Sequence, residues 1–259
     1  MRRFVLIFAL LFAVVDARAG LTYRFDSITE GVTRTAVSGV VKVDGQNVRM
    51  DVTKGDGVVF KDRGVILSRD GGLTVRVADL AARSFYDVKL ADLAGDAAGL
   101  LRQLGSSVTF TLQNPRVSIR ELGAAGKIEG FNTRRTLVET SHDLVINALG
   151  QKVTIRIVTR NEVWSTNQIE GALAGFLQMQ GVRTGVAAID AILESQSGRI
   201  TGFPLRQVAV VKVIQNGQEI TSKTTVILRD VLKRNLAPVE FTLPRDLEQV
   251  KSPLGGNVE

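Results

Sequence analysis

An antiparallel β fold with a helical insert is predicted by three features of this chain. Apolar and polar residues alternate through most of its length, as in Val153-Thr154-Ile155-Arg156-Ile157. A period of two with one apolar face marks a half-buried strand. Turn pairs recur between such runs, at Asp44-Gly45, Asp70-Gly71-Gly72 and Asn216-Gly217, and these mark hairpins. The period becomes helical in only two places, Leu90 to Leu104 and Gln168 to Gln196.

Taken in order, Leu21 to Thr29 alternates and reads as a strand, and Val32 to Val43 and Val48 to Val52 flank the Asp44-Gly45 turn. Val65 to Ser68 and Leu73 to Val77 form the next hairpin, and Phe85-Tyr86 lies in a short strand closing this meander. Leu90, Leu93, Ala97, Leu100, Leu101 and Leu104 then fall on one helical stripe, which Gly105 is placed to end. Val108, Phe110 and Leu112 resume alternation, but Val117 and Ile119 are in the opposite phase across Asn114-Pro115. Proline cannot donate to a ladder, so a bulge or an edge position is expected there. Gly123 and Gly126 are expected to close a turn before Lys127.

The central stretch from Lys127 to Asn167 holds two long strand-like runs and the single tryptophan, Trp164. Ala148-Leu149-Gly150 separates the runs as a hairpin loop. After Trp164, Ile169, Leu173, Phe176 and Leu177 share one helical face, and Val182, Val186, Ile189 and Leu193 share another. Helices this short need a packing partner. The apolar phase of Val153, Ile155 and Ile157 is the expected one, with the helices lying over the concave face of the sheet. Strands return over Leu205 to Gln215 and Glu219 to Leu228. Phe241-Thr242-Leu243-Pro244 closes the domain, and residues 251–259 read as a polar tail.

Residues 1–19 read as a secretory signal peptide. Arg2 and Arg3 precede the apolar run Phe4 to Val15, and Ala17-Arg18-Ala19 is a small-x-small cleavage pattern. Cleavage is expected after Ala19, leaving a periplasmic or secreted protein. The apolar run is short of the ~20 residues a spanning helix needs. One domain is expected over 20–250, since no linker-like stretch interrupts it. The absence of cysteine excludes disulfides, thiolate metal sites and attachment of lipid through an N-terminal cysteine.

The chain carries a net charge of +7. Removing Arg2, Arg3, Arg18 and Asp16 with the signal leaves +5. That balance suits anionic surfaces, such as lipid headgroups or acidic polymers of the envelope, with the protein peripheral at most to a membrane. Nucleic acid is not expected as a partner, because no basic cluster is interleaved with aromatics.

The sequence offers no catalytic constellation. His142 is the only histidine. Its neighbours Ser141 and Asp143 would point to the opposite face of a strand, so the three cannot form a relay. One histidine without cysteine makes a metal site improbable, and no cofactor is expected. Gly123-Ala124-Ala125-Gly126-Lys127 lacks the spacing of a phosphate loop and the Ser or Thr after its lysine. No pair of carboxylates is singled out by spacing.

Six short motifs recur in an order that resembles a known family. They are Val48-Arg49-Met50-Asp51, Phe85-Tyr86-Asp87, Ile128-Glu129-Gly130-Phe131, Glu162-Val163-Trp164, Gly202-Phe203-Pro204-Leu205 and Phe241-Thr242-Leu243-Pro244. Their order and spacing resemble exported bacterial domains of unknown function related to the lipoprotein carriers LolA and LolB. The resemblance implies an incomplete, curved antiparallel β-barrel with helices on its concave face, a cavity suited to acyl chains, and an envelope location. The carriers' functional residues have no clear counterparts here. Members of the unknown-function family often carry a cysteine after the central glycine-aromatic pair, where this chain has Asn132-Thr133.

Two functions follow as expectations. One is a carrier or sensor of lipid or lipidated peptide, its cavity lined by Trp164, Phe131, Ile155, Ile157, Leu173, Phe176, Leu177 and Ile189. The other is an envelope scaffold with a filled core and a protein partner. An enzyme ranks last.

Overall fold

The computed structural model describes residues 20–55, 60–89, 108–148, 151–169 and 201–253. Their strands form one 12-stranded sheet, ordered β12-β6-β5-β4-β3-β2-β1-β11-β10-β9-β8-β7. β1 (Gly20–Glu30) to β6 (Ser84–Lys89) form the meander, through β2 (Thr35–Asp44), β3 (Asn47–Lys54), β4 (Gly64–Ser68) and β5 (Thr74–Asp79). β7 (Val108–Ile128), β8 (Phe131–Ala148), β9 (Gln151–Thr166), β10 (Phe203–Gln215) and β11 (Gln218–Arg234) form a second run of longer strands. The runs join where β1 pairs with β11. All neighbours are antiparallel except the two-residue β12 (Glu248–Gln249), which runs parallel to β6.

The sheet is curved but open: β12 and β7 are its two edges, so no barrel is closed. The core shows the curvature. Tyr23 of β1 and Phe203 of β10 meet edge to face, with ring centroids 5.6 Å apart at 74°, although β11 lies between their strands. Strands two apart are separated by roughly 9.6 Å in a flat sheet, and this closer approach of the rings fits a concave face. One cluster on that inner face joins Val75, Tyr86, Met50, Val41, Leu21, Leu228, Leu205 and Phe203.

The predicted hairpins form, with informative shifts. Asn216 and Gly217 take positive φ of 51° and 77°, as the tight primed hairpin turn demands. The turn expected at Gly123 and Gly126 is a pair of register shifts inside β7 instead. The chain turns at Glu129-Gly130 (φ 53° and 81°). A glycine at positive φ serves a bulge as well as a turn. Asn114-Pro115 sits at another shift, on the edge strand, as proline requires. Val32 and Leu73, expected in strands, precede β2 and β5 and are exposed.

The closing segment covers the outer face of the meander. A 3₁₀ helix, Pro238–Phe241, places Phe241 with Leu67 and Leu236 in a second apolar cluster, with Leu243 packed against it. Arg49 grips Asp51 on its own strand and donates to the Thr242 carbonyl at 2.6 Å. Arg69 donates to the Phe241 carbonyl at 3.1 Å. Glu240 receives Arg234 at 2.7 Å and Lys42 at 3.2 Å. The Arg234 hydrogen bond is the chief cause that holds its carboxyl near a pKa of about 2.

The helix expected over Leu90 to Leu104 lies outside the described residues. So does nearly all of the Gln168 to Gln196 insert. Of it only Gln168, which is exposed, and Ile169, fully buried in the inner core, are described.

Candidate functional site

Cross-strand register assigns every side chain of the long strands to a face, because directly paired residues share one. On β8 the inner face carries Thr136, Val138, Thr140, His142, Leu144 and Ile146. Opposite them on β9 stand Val163, Asn161, Thr159, Ile157, Ile155 and Val153. β10 adds Gln207, Ala209, Val211 and Val213, and β11 adds Val226, Thr224, Ser222 and Ile220. This array carries no formal charge. Arg134, at the start of β8, is the nearest charged residue on this face of β8, and it faces Glu121 at 4.0 Å.

Over this span the charges of these four strands stand on the outer face, among apolar residues such as Leu137, Val145 and Val158. β8 places Arg135, Glu139 and Asp143 there; β9 places Lys152, Arg156, Arg160 and Glu162. β10 contributes Arg206 and Lys212, and β11 contributes Glu219, Lys223 and Arg229. A carboxylate or ammonium placed in an apolar setting costs several kcal/mol unless it is paired. Strict segregation is what a sheet needs if its inner face is to meet apolar matter.

The inner trough differs from the core of the meander. Around Leu21 and Val41 the packing is closed. Along the trough, Val153, Ile155, Ile157, Ala209, Val211 and Val213 are only half-buried, and Ile220 is exposed. Two polar atoms stand out within it. Thr140 is 5% exposed, and its hydroxyl oxygen, like the Asn161 amide oxygen, is buried without a hydrogen-bond partner among the described residues. The two residues are diagonal neighbours, since Thr140 pairs with Thr159 and Asn161 with Val138. A buried polar atom left unpaired costs about 1–3 kcal/mol, so each marks a place where an incoming hydrogen bond would be rewarded.

His142 faces the trough opposite Ile157, while Ser141 and Asp143 face outward. Burial depresses its pKa below the usual 6.5, against a smaller opposing pull from Asp143. A histidine that protonates less readily folded than unfolded stabilises the fold fully above 6.5. That contribution is lost as pH falls below 6.5 toward the depressed value. The thermal midpoint is therefore expected to fall on acidification through this window, and His142→Gln should flatten that slope. Melting curves across pH would check it.

The expected cavity residues separate. Ile155 and Ile157 line the trough. Phe131 begins β8 at the hairpin turn and packs, partly buried, against the inner core. Trp164 is seven residues from Ile157 on a strand paired to β8 without a shift, so it faces the other way. Its ring lies between the guanidinium groups of Arg135 at 5.1 Å and Arg206 at 4.7 Å. Arg135 and Arg160 both hold Glu162, the latter at 2.9 Å. Trp164 thus belongs to a cationic outer surface and not to the trough. Leu173, Phe176, Leu177 and Ile189 lie outside the described residues.

A separate groove of about 690 Å³ opens on the outer face of β11, β1 and β2. Ile28 and Ile227 line it together with Arg34, Lys54, Arg229, Asp26 and Asp62. Among the described residues, no group of His, Cys, Asp or Glu is placed to hold a metal ion, and no helix is long and apolar enough to cross a membrane.

No protein-family model matches the chain, and no curated protein sequence does. Its backbone is similar to several solved structures at low identity. An uncharacterized conserved protein from Thermus thermophilus aligns over 90% of both chains, at 10% identity and a TM-score of 0.38. A LolA superfamily protein from Nitrosomonas europaea aligns over 87% of this chain and 91% of its own, at 8% identity and a TM-score of 0.32. A chain of the MucA/MucB complex from Pseudomonas aeruginosa aligns over 84% of this chain and 95% of its own, at 8% identity and a TM-score of 0.23. At these scores no residue role passes from one chain to another.

Proposed function

We propose that this chain is an exported binding protein that holds an amphiphile, a lipid or an acylated peptide, along the inner trough of β8 to β11. One observation carries the reading: the trough is free of charge across four strands that place their charges on the other face. The apolar portion of the ligand lies along Ile155, Ile157, Val211 and Val213. Its polar linkage lies toward Thr140 and Asn161, whose unpaired oxygens are covered in the free protein. Binding would have to uncover them before the hydroxyl donates and the amide oxygen accepts. The ligand is bound and not transformed, since His142 has its potential relay partners on the opposite face.

The filled core beneath β1 to β6 favours a second reading, a scaffold for an envelope protein partner. The two differ in what leaves the cell with the protein. Native mass spectrometry of the purified protein should find added mass matching a lipid or acylated peptide, lost on extraction with organic solvent. A chain that carries no adduct and takes up no long-chain amphiphile would leave the scaffold reading in its place.

A further inference from the structure

We propose that the outer face of β9 to β11 is a docking surface for an anionic lipid bilayer. The cations that stand there are Lys152, Arg156 and Arg160 of β9, Arg206 of β10, and Lys223 and Arg229 of β11, all exposed. Asp143 of β8 stands across from Arg156 and accepts the Asn114 amide; the other acidic neighbours are held in ion pairs. Glu162 is held between Arg135 and Arg160, and Glu219 pairs with Lys212 at 2.8 Å. Among the described residues, Lys152, Arg156, Arg206 and Lys223 make no ion pair. The surface therefore holds positive charge in excess, and an anionic partner relieves its self-repulsion.

The distribution of these charges identifies the partner. They follow β9 from Lys152 to the level of Trp164, about 40 Å at strand rise, and spread sideways over three strands. They do not converge on a point, as a single phosphate or carboxylate would require. Half-buried Val158, Val208 and Val210 lie between them on the same face. Basic residues spaced over an apolar floor match many weakly held headgroups in a plane. A short acidic peptide would instead call for a groove. Trp164, half-buried between two guanidinium groups, suits the headgroup level, where an apolar ring with a polar edge is favoured. The surface is independent of what fills the trough on the other side of the sheet.

Trp164, the only tryptophan, reports this face directly. The purified protein is mixed with vesicles of phosphatidylcholine alone, or of equal parts phosphatidylcholine and phosphatidylglycerol, and binding is read by flotation and Trp164 emission. We expect binding to the anionic vesicles only, with a change in emission, and loss of both as salt is raised. Arg156→Glu, Arg206→Glu and Lys223→Glu combined should weaken binding on the order of a hundred-fold. Exposed positions keep the fold, which an unchanged circular dichroism spectrum would verify. If the triple variant loses its fold, each single substitution should still weaken binding several-fold. Equal binding to neutral vesicles, or variants that bind like the parent, would overturn the proposal. So would binding to polyglutamate in the absence of binding to anionic vesicles, which would assign the face to an acidic protein.

Discussion

Phe203→Ala is expected to destabilise the protein by about 3–5 kcal/mol, the usual cost of truncating a buried phenylalanine. Phe203 is fully buried. It meets Tyr23 edge to face across the strand that separates them, and it belongs to the cluster that runs from β5 and β6 to β10. Among the described residues, the two halves of the sheet share ladder hydrogen bonds only along β1 and β11. Phe203 adds an apolar tie across that seam, and its loss leaves a cavity where the curvature is set. Register shifts at both the β9–β10 and β1–β11 pairs flank the same spot, so the backbone there can relax only at the expense of pairing. Chemical denaturation of parent and variant would measure the difference. A loss below about 1 kcal/mol, typical of a surface substitution, would mean that the inner core does not join the two halves.

What could be read in advance depended on range. β9 and β10 carry all their charges at one parity: Lys152, Arg156, Arg160 and Glu162 on β9, Arg206 and Lys212 on β10. Segregation of the faces is thus written locally, two residues at a time. The same parity separates Trp164 from Ile157, but a large ring draws attention as a cavity wall whichever way it points. Gly123 and Gly126 carry a local signal that fits two outcomes. Only their pairing with the Asn132–Arg134 region shows that the strand continues. The cover over the meander was less legible still. Phe241 and Thr242 reach Arg69 and Arg49 across more than 170 residues of sequence, and no local pattern encodes such a meeting. Thr140 and Asn161 look like ordinary strand residues until packing shows that their oxygens are left without partners.

Ile155→Asp is expected to abolish amphiphile binding while its neighbour Thr154→Asp leaves binding intact. Ile155 lies in the trough opposite Leu144 on β8 and Gln215 on β10, so a carboxylate there has no cation directly across from it. With an acyl chain laid over it, that charge would be stripped of water without a partner, at a cost of several kcal/mol. A binding loss of more than a hundred-fold follows, since each 1.4 kcal/mol is about ten-fold. Without ligand the side chain is only half-buried and can stay hydrated, so the fold should survive. Thr154 is one residue away, exposed on the outer face opposite Val145. An aspartate there stays in water whether or not the trough is filled. The pair differs by one position on one strand, which removes net charge and general surface effects from the comparison. Displacement of a fluorescent fatty acid by each variant would decide it. Equal losses in both would show that the charge acts through the whole protein, and no loss in Ile155→Asp would place the amphiphile elsewhere.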